Sequence, residues 1–231
     1  MLELSKINSF YGRSQVLHEL SLSAATQSIV AIIGRNGVGK TTLLRTILGL
    51  TDRSDGVITL DGADLSKLPT HARARGGIAY VPQGRHVIPD FTIRDNILMG
   101  SFADPQRGTK IPDIVPDLFP YLMDNLDRLG GVLSGGQQQQ LAIARALAAK
   151  PKIMLMDEPT EGIQPNIVEQ IEDTIIRLNT EFGITIVLVE QNVKFARKAG
   201  HSFAMMENGR IVASGAINGL TDELVKTHMT I

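Results

Sequence analysis

Several residue types are absent from this chain of 231 residues or are scarce in it. It contains no cysteine, which excludes disulfides and thiolate metal sites and is compatible with a reducing compartment. It also lacks tryptophan, and aromatic residues make up only 4% of the chain. Since no basic block lies among these aromatics, the stacking of nucleic-acid bases has no support.

The charge and the hydrophobic runs exclude further classes of protein. The formal net charge is −1, which gives no electrostatic reason to expect a nucleic-acid partner. No apolar run approaches the roughly 18 residues of a membrane-spanning helix, and residues 1–4 do not resemble a signal peptide. The length suits one large domain with a substantial core. Taken alone, the sequence predicts a soluble cytoplasmic protein.

One stretch, residues 34–42, carries a strong chemical signal. Its sequence GRNGVGKTT fits the phosphate-binding pattern G-x-x-x-x-G-K-[ST]. The apolar run 28–33 before it predicts a buried strand, and the run 43–48 after it predicts a helix. A glycine-rich turn between such elements directs successive backbone N–H groups and the positive helix end at a phosphate chain.

This loop therefore predicts a nucleotide-binding site. Lys40 would reach the β- and γ-phosphates, and the Thr41 hydroxyl would hold Mg²⁺. The four fixed positions should match by accident in roughly one chain of this length per hundred, and the flanking strand and helix lower that chance. We expect the nucleotide to contact Gly34, Arg35, Asn36, Gly37, Val38, Gly39, Lys40, Thr41 and Thr42.

The remaining pattern predicts an α/β fold with a mainly parallel sheet. The runs 152–156 and 183–189 are continuously apolar, as expected of parallel strands that are covered on both faces. The strand 57–60, between the turn pairs 55–56 and 61–62, is predicted to be antiparallel and peripheral. Another strand, 77–81, precedes Pro82, and Asn208-Gly209 predicts a hairpin.

Residues 89–150 show no strand signal and predict a helical insertion. The whole chain is then a single domain, with its nucleotide-binding core in residues 1–88 and 151–231. The Thr92–Asp95 spacing predicts a capped helix start. A basic fragment at 71–75 is expected to be a solvated helix face.

The segment before the last helix of this insertion, which is expected from 138 to 150, reads Leu-Ser-Gly-Gly-Gln at 133–137. Ser134 and Gln137 can form a capping box, which is one interpretation. Yet Gly135 and Gly136 cost roughly 1 kcal/mol each in helix propensity relative to alanine. A helix start that accepts this cost favours a second anion site, where a ligand approaches bare backbone N–H groups.

Polar residues follow three of the predicted strands. Asp157 and Glu158 follow 152–156, and Gln191 follows 183–189 near the same level of the sheet. Acids at a strand exit are common as helix caps, but in a chain with a phosphate loop Asp157 is the expected Mg²⁺ partner. Glu158 is placed to accept a proton from an attacking water. Gln83, after Pro82, could reach a metal or a water, or could be a turn residue.

The order of these motifs resembles the ATPase subunit of an ABC transporter over essentially the whole chain. The resemblance implies a P-loop NTPase (RecA-like) core with a peripheral antiparallel β subdomain and an inserted helical subdomain. Tyr11, otherwise a packing residue, would stack on adenine. Gln83 would join Mg²⁺ and sense the membrane subunit, Asp157 would belong to the metal shell, and Glu158 would be the catalytic base. ATP held by a second ATPase subunit would be contacted by Ser134, Gly135, Gly136 and Gln137.

The same resemblance implies the partners and location. These are a second ATPase subunit, expected as a heterodimer, the transmembrane permease and, indirectly, a periplasmic or extracellular solute-binding protein. The chain would lie at the cytoplasmic face of the cell membrane, bound through the permease. A rival is a non-transport ABC ATPase, but those are usually larger. A phosphoryl-transfer kinase is disfavoured by the pentapeptide 133–137.

The chain departs from the wider family at two positions. Gln191 stands where most members have a histidine that touches the γ-phosphate, and Gln164 where many have an aspartate. Glutamine can donate a hydrogen bond but cannot carry a proton, so we expect Gln191 to position rather than switch, with unequal composite sites in the heterodimer. Both features resemble the smaller ATPase of branched-chain amino acid and urea importers. Four stretches favour urea, with branched-chain amino acids as the alternative: 34–44, 73–85, 137–140 and 158–165.

Overall fold

The computed structural model describes residues 1–103 and 110–229, which form two β-sheets with helices around them. The strands are, in chain order, β1 Leu2–Tyr11, β2 Ser14–Ala24, β3 Ile29–Ile33, β4 Arg53–Leu60, β5 Ala63–Asp64, β6 Ile78–Val81, β7 Ile153–Asp157, β8 Thr185–Glu190, β9 Ser202–Glu207 and β10 Arg210–Ala216. The helices are α1 Lys40–Leu48, α2 Thr70–Arg75, α3 Ile93–Met99, α4 Ile114–Leu118, α5 Pro120–Asp124, α6 Gly135–Ala148, α7 Pro165–Thr180, α8 Val193–Ala199 and α9 Asp222–Met229. Short 3-10 turns lie at Gly100–Ala103, Gly130–Val132 and Ile217–Gly219.

The larger sheet has six strands in the order β10-β9-β3-β8-β7-β6. All of its neighbouring pairs are parallel except the edge pair of β10 with β9. Every residue of β3, β7 and β8 is buried, which confirms the prediction from the apolar runs. Because the strands are parallel, the carboxyl ends of β3, β6, β7 and β8 meet at one edge, and the residues that follow them can share a site.

The smaller sheet is antiparallel in the order β2-β1-β4-β5, as predicted for a peripheral unit. One local prediction was wrong: Asp55-Gly56 is not a turn but lies inside β4. Gly56 has φ 105° opposite a register shift in β1, and a Cβ there would lie 2.6 Å from the Lys6 carbonyl oxygen. The glycine therefore serves a bulge, where only a bare Cα fits.

Helices α3 to α6 lie in the chain between β6 and β7. Among the described residues of this segment, the only strand pairing is an isolated bridge between Thr92 and Leu129. Thr92 caps α3 by accepting from the Asp95 backbone N–H, as predicted. Residues 104–109 of the predicted helical insertion lie outside the described residues. The division of the chain into a core and a helical subdomain remains a prediction.

The basic fragment at 71–75 was expected to be solvated, and for Arg73 this was wrong. Only 3% of Arg73 is exposed, and its guanidinium donates to the carbonyls of Thr46 and Ile47, each at 2.9 Å. Those carbonyls belong to the last turn of α1, where backbone acceptors have no partner within the helix. Burial lowers the pKa of Arg73. Arg73 thus ties α2 to the end of the helix that begins at the phosphate loop.

The predicted hairpin at Asn208-Gly209 is confirmed and packs on the phosphate loop. Both residues have positive φ, at 46° and 75°. The Gly209 N–H donates to the Val38 carbonyl at 2.9 Å, and a Cβ on Gly209 would lie 1.9 Å from the Val16 carbonyl oxygen. The turn thereby fixes the loop against both sheets. Among the described residues, no helix combines the length and apolar character needed to cross a membrane.

Candidate active site

The phosphate loop connects the end of β3 to the start of α1. Gly37 and Gly39 have φ 80° and 105°, a region that side chains other than glycine disfavour. Gly34 is needed for a different reason, because a Cβ there would lie 2.5 Å from the Met206 carbonyl oxygen. Gly39 precedes α1 without any side-chain capping bond. The first N–H groups of α1 are therefore available to an anion.

A cleft of about 300 Å³ lies over this loop. Its lining includes most of the predicted nucleotide residues together with Gln83 and Glu158; the full lining is Val16, Asn36, Gly37, Gly39, Lys40, Thr41, Thr42, Gln83 and Glu158. Gly34, Arg35 and Val38 are not part of the lining. Val16 was not predicted, because an aliphatic residue in β2 carries no chemical signal and its place depends on how the two sheets pack.

Lys40 is buried, with 5% of it exposed. Its ammonium donates to the carbonyls of Gly34 at 2.8 Å and Arg35 at 3.0 Å, and it forms an ion pair with Glu158 at 3.2 Å. A lysine ammonium has three donors, so all of them are engaged. A phosphate that binds Lys40 must replace at least one of these partners.

Asp157 ends β7 and is fully buried. One carboxylate oxygen accepts from the Thr41 hydroxyl at 3.2 Å and the other from the Tyr80 hydroxyl at 3.1 Å. Burial raises the pKa of Asp157, while these two hydrogen bonds oppose the rise. Burial and the charge of Asp157 also raise the pKa of Tyr80. Tyr80 was missed from sequence, since a tyrosine in a strand resembles any core aromatic.

The donors at this edge fit Mg²⁺. Thr41 and Asp157 supply oxygen atoms that already lie in contact, and Gln83 lines the same cleft. Mg²⁺ prefers oxygen ligands and is usually bound by one or two carboxylates together with substrate phosphates. Within residues 1–103 and 110–229, no cluster of three or more His, Cys, Asp or Glu could hold a metal alone. The site therefore suits an ion that arrives with a nucleotide.

Glu158 follows directly after β7 and has φ 47°. A non-glycine residue in this region costs on the order of 1–3 kcal/mol and persists only where neighbours enforce it. Here the Glu158 N–H donates to the Val189 carbonyl at 2.9 Å. Its carboxylate contacts Lys40 on one side and the side-chain amide of Gln191, at 3.1 Å, on the other.

Gln191 lies at the level of Asp157 and Glu158, as the strand pattern predicted. Its amide nitrogen also donates to the Asn36 side chain in the phosphate loop. The residue before it, Glu190, is 3% exposed and was not singled out from sequence. Glu190 comes at the end of an apolar run, where a polar residue ordinarily marks the end of a strand. The sequence therefore gives it no further role.

Two other predicted residues lie near the cleft with partners of their own. The amide nitrogen of Gln83 donates to the Glu161 carboxylate at 2.6 Å. Tyr11 ends β1 and does not line the cleft. Its side chain forms a hydrogen bond with the Arg45 side chain in α1, and this bond raises the pKa of Arg45.

The start of α6 is a capped helix end. The Ser134 N–H donates to the Gln137 side chain at 3.0 Å, and the Gln137 N–H donates to the Ser134 hydroxyl at 3.4 Å. Gly136 is buried, and a Cβ there would lie 2.4 Å from Cγ2 of Ile167. A Cβ on Gly135 would lie nearest the guanidinium of Arg85, at 3.1 Å. None of the residues 134–137 lines the cleft over the phosphate loop.

Comparison with known proteins shows the family to which the chain is similar. The family model described as ABC transporter matches residues 17–161. The chain is 42% identical over 213 residues to the high-affinity branched-chain amino acid transport ATP-binding protein BraG of Pseudomonas aeruginosa, covering 92% of this chain and 91% of that one. It is 35% identical over 223 residues to the probable branched-chain amino acid transport ATP-binding protein LivF of Archaeoglobus fulgidus, covering 96% and 94%.

Solved structures show the same fold. One is a dimeric ATP-binding cassette in a post-hydrolysis state, bound to ADP and Pi, with a TM-score of 0.80 and 26% sequence identity. That match covers 95% of this chain and 100% of the other. The predicted fold class is thus confirmed.

Proposed function

This chain belongs to the family of ABC transporter ATP-binding proteins, and from that premise we propose that it powers the import of branched-chain amino acids. It is an ATPase coupled to transport, the ATP-binding subunit of an ABC importer, and works with permease subunits. The names of BraG and LivF support the choice of solute. The preference for urea in the sequence pattern finds no support in these relatives. The solute does not touch this subunit, so only the relatives support the choice between the two solutes; Gln164 and Gln191 fit both kinds of importer.

Uptake by intact cells tests the solute. A strain that lacks this gene should lose uptake of labelled leucine, isoleucine and valine, and the wild-type gene should restore it. A gene that carries Glu158→Gln should not restore uptake. This control shows that ATP hydrolysis is needed and that the presence of the subunit is not enough. Loss of urea uptake with unchanged leucine uptake would reverse the assignment in favour of the urea importer.

The observation that supports the hydrolytic mechanism is the contact of Lys40 with Glu158 beside Asp157 and Thr41. We infer that a nucleotide phosphate takes the Lys40 ammonium away from Glu158. The Glu158 carboxylate is then free to accept a proton from the attacking water, while Gln191 orients the reacting groups. Thr41 and Asp157, with Gln83, would hold Mg²⁺, which neutralises charge on the phosphates. The remaining work is positioning and electrostatics.

A Glu158→Gln variant tests this mechanism. Gln keeps the shape but cannot accept the proton, so we expect ATP binding to persist, turnover to fall to background and the closed dimer to accumulate. Turnover near that of the wild type would remove Glu158 from the role of base.

The second half of each reaction centre is proposed to come from a neighbouring ATPase. The start of α6 does not line the cleft over the phosphate loop of its own chain, so its N–H groups would serve a nucleotide held by the partner. The dimeric cassette among the solved relatives supports such pairing. We propose a heterodimer in the complete importer, with unequal sites because Gln191 replaces a proton-carrying histidine. Tyr11 would leave Arg45 to stack on adenine.

A second cleft, of about 770 Å³, is proposed to receive the permease. It shares Thr41 and Gln83 with the nucleotide cleft; its other lining residues are Arg45, Leu50, Tyr80, Pro82, His86, Ile88, Arg145 and Asp157. Two arginines beside apolar residues suit a short cytoplasmic helix with an acidic side chain. Docking there, against the segment 84–97, would hold the chain at the cytoplasmic membrane face, and an external solute-binding protein would act through the permease. An Arg45→Glu variant should lose co-purification with the permease.

A further inference from the structure

Glu190 is a buried acid that the mechanism above does not use. It ends β8, directly before Gln191, with 3% of it exposed. One carboxylate oxygen accepts from the Thr160 hydroxyl at 2.9 Å. The other accepts from the backbone N–H groups of Gln191 at 3.2 Å and Asn192 at 3.4 Å. Within the described residues its contacts are these hydrogen bonds and no ion pair, so burial of its charge is uncompensated by a cation.

The partners of Glu190 lie on both sides of Glu158. Thr160 is two residues further along the loop that leaves β7, while Gln191 begins the loop that leaves β8 and contacts the Glu158 carboxylate at 3.1 Å. The backbone of Glu158 is itself tied to β8 through the Val189 carbonyl. Glu190 does not line the nucleotide cleft. Its carboxylate is therefore a bridge between the two loops that hold the base, and it does not touch the reacting groups.

We propose that Glu190 is a positioning residue for ATP hydrolysis. By holding Thr160 together with the backbone of Gln191 and Asn192, it fixes the Gln191 amide against the Glu158 carboxylate. This inference rests on the proposed roles of Glu158 and Gln191. It explains why a polar acceptor occupies a buried position where an apolar residue would avoid the cost of desolvation.

The hydrogen-bond pattern predicts which substitutions are tolerated. A glutamine at this position can accept both backbone N–H groups through its oxygen and donate its amide to the Thr160 hydroxyl, which accepts as well as donates. Glu190→Gln should thus keep the bridge. Thr160→Val removes the hydroxyl at nearly constant shape and leaves one buried carboxylate oxygen without its donor. Combining the two changes leaves the amide nitrogen without an acceptor.

Steady-state kinetics with nucleotide-binding and thermal-unfolding measurements test the proposal. For Thr160→Val we expect kcat to fall about tenfold with the ATP Kd nearly unchanged, and Tm to fall by a few degrees because one buried carboxylate oxygen loses its donor. Glu190→Gln should keep kcat within about twofold of the wild type, and the double variant should fall below Thr160→Val. Thr174→Val, which removes a hydroxyl bonded within α7, is the matched control and should leave kcat unchanged.

A double-mutant cycle identifies the route of action. If Glu190 acts through Gln191, Thr160→Val should have little further effect on kcat in a Gln191→Ala background. Additive losses, an unchanged kcat in Thr160→Val, or a parallel loss of kcat, binding and Tm would each overturn the proposal. Glu158→Gln is measured in the same series: if it turns over normally, the proposed role of Glu158 as the base fails. If it is inactive while Thr160→Val is normal, only the role of Glu190 fails.

Discussion

Two helices of this protein begin in a glycine-rich turn, and they differ in what satisfies their backbone N–H groups. At α1, Gly39 has φ 105° and makes no side-chain cap, and the cleft over the loop contains a lysine and a carboxylate. At α6, Ser134 and Gln137 form a complete capping box. The N–H groups at the start of α1 can therefore bind an anion within the same chain. At the start of α6, the capping box already provides hydrogen-bond partners for some of these groups.

The glycines at the two helix starts are required for different reasons. At α1, Gly37 and Gly39 are required by positive φ, at the point where a phosphate chain would lie. At α6, Gly136 is required by packing against Ile167, which needs no ligand. Only Gly135 has no rigid neighbour, since the nearest group is the flexible Arg85. Of the two glycines, Gly135 alone therefore favours a second anion site through its cost in helix propensity.

The largest effect is expected at the start of α1, where the first backbone N–H groups are open to an anion. Lys40→Ala removes the buried ammonium that would neutralise the β- and γ-phosphates, so ATP affinity should fall by at least about a hundredfold. Calorimetric titration with ATP measures this. Lys152→Ala, at a lysine paired with Asp61 away from the cleft, is the control and should bind normally. Micromolar binding by Lys40→Ala would contradict the assignment of the loop.

A smaller effect, on folding, is expected at Gly136. An alanine there would overlap Ile167, and overpacking of this kind costs about 1–3 kcal/mol. In a domain of this size each kcal/mol lowers Tm by roughly 2–4 °C. Thermal unfolding of the Gly136→Ala variant checks the value, and Ile167→Ala in the same chain should restore much of the loss. An unchanged Tm would show that packing does not explain this glycine.

Gly135→Ala should give the opposite result. The new methyl group meets a side chain that can move, so Tm should change by no more than about 1 °C. If the partner's nucleotide approaches this backbone, ATP turnover by the paired cassettes should fall about tenfold or more. Normal turnover in Gly135→Ala would remove the second anion site. A loss of Tm like that of Gly136→Ala would erase the distinction between the two glycines.

The smallest effect concerns Glu190, one of the acids at the edge of the sheet beneath the start of α1. The start of α6 lacks such acids. Burial raises the pKa of Glu190 above its ordinary value of 4.5, against the hydrogen bonds from Thr160, Asn192 and Gln191. The folded state then binds a proton more readily than the unfolded state, so stability falls as pH rises through that window. Glu190→Gln should unfold at a higher temperature than the wild type at pH 8, and this gain should vanish below pH 4.5. A gain independent of pH would contradict this cause.

The sequence predicted the catalytic edge well because its signals are local. Apolar runs identified β3, β7 and β8, and parallel strands bring the residues after them together. This is why Asp157, Glu158 and Gln191 were expected near the phosphate loop before any contact was known. The fold class followed from the same alternation of strands and helices.

What the sequence did not reveal depends on contacts across elements. Arg73 lies in a basic fragment, and only the packing of α2 on α1 shows that it is buried on carbonyl oxygens. Tyr80 and Glu190 occupy ordinary strand positions, and their partners come from other elements. Gly56 resembled a turn because its bulge exists only when β4 pairs with β1. Local patterns identify elements, while these roles arise from pairing and packing.

Complementation between two inactive variants of this chain, purified without the other ATPase so that it pairs with a second copy of itself, tests the central claim. The claim is that each reaction centre combines the phosphate loop of one chain with the α6 start of another. Lys40→Ala lacks a working phosphate loop, and Gly135→Asp places a carboxylate where the partner's phosphate would lie. Neither should hydrolyse ATP alone. The equimolar mixture should regain up to about a quarter of the wild-type rate, since half of the dimers are mixed and each has one intact site of two. A mixture that stays inactive while both variants dimerise, or full activity of the isolated monomer, would contradict the account.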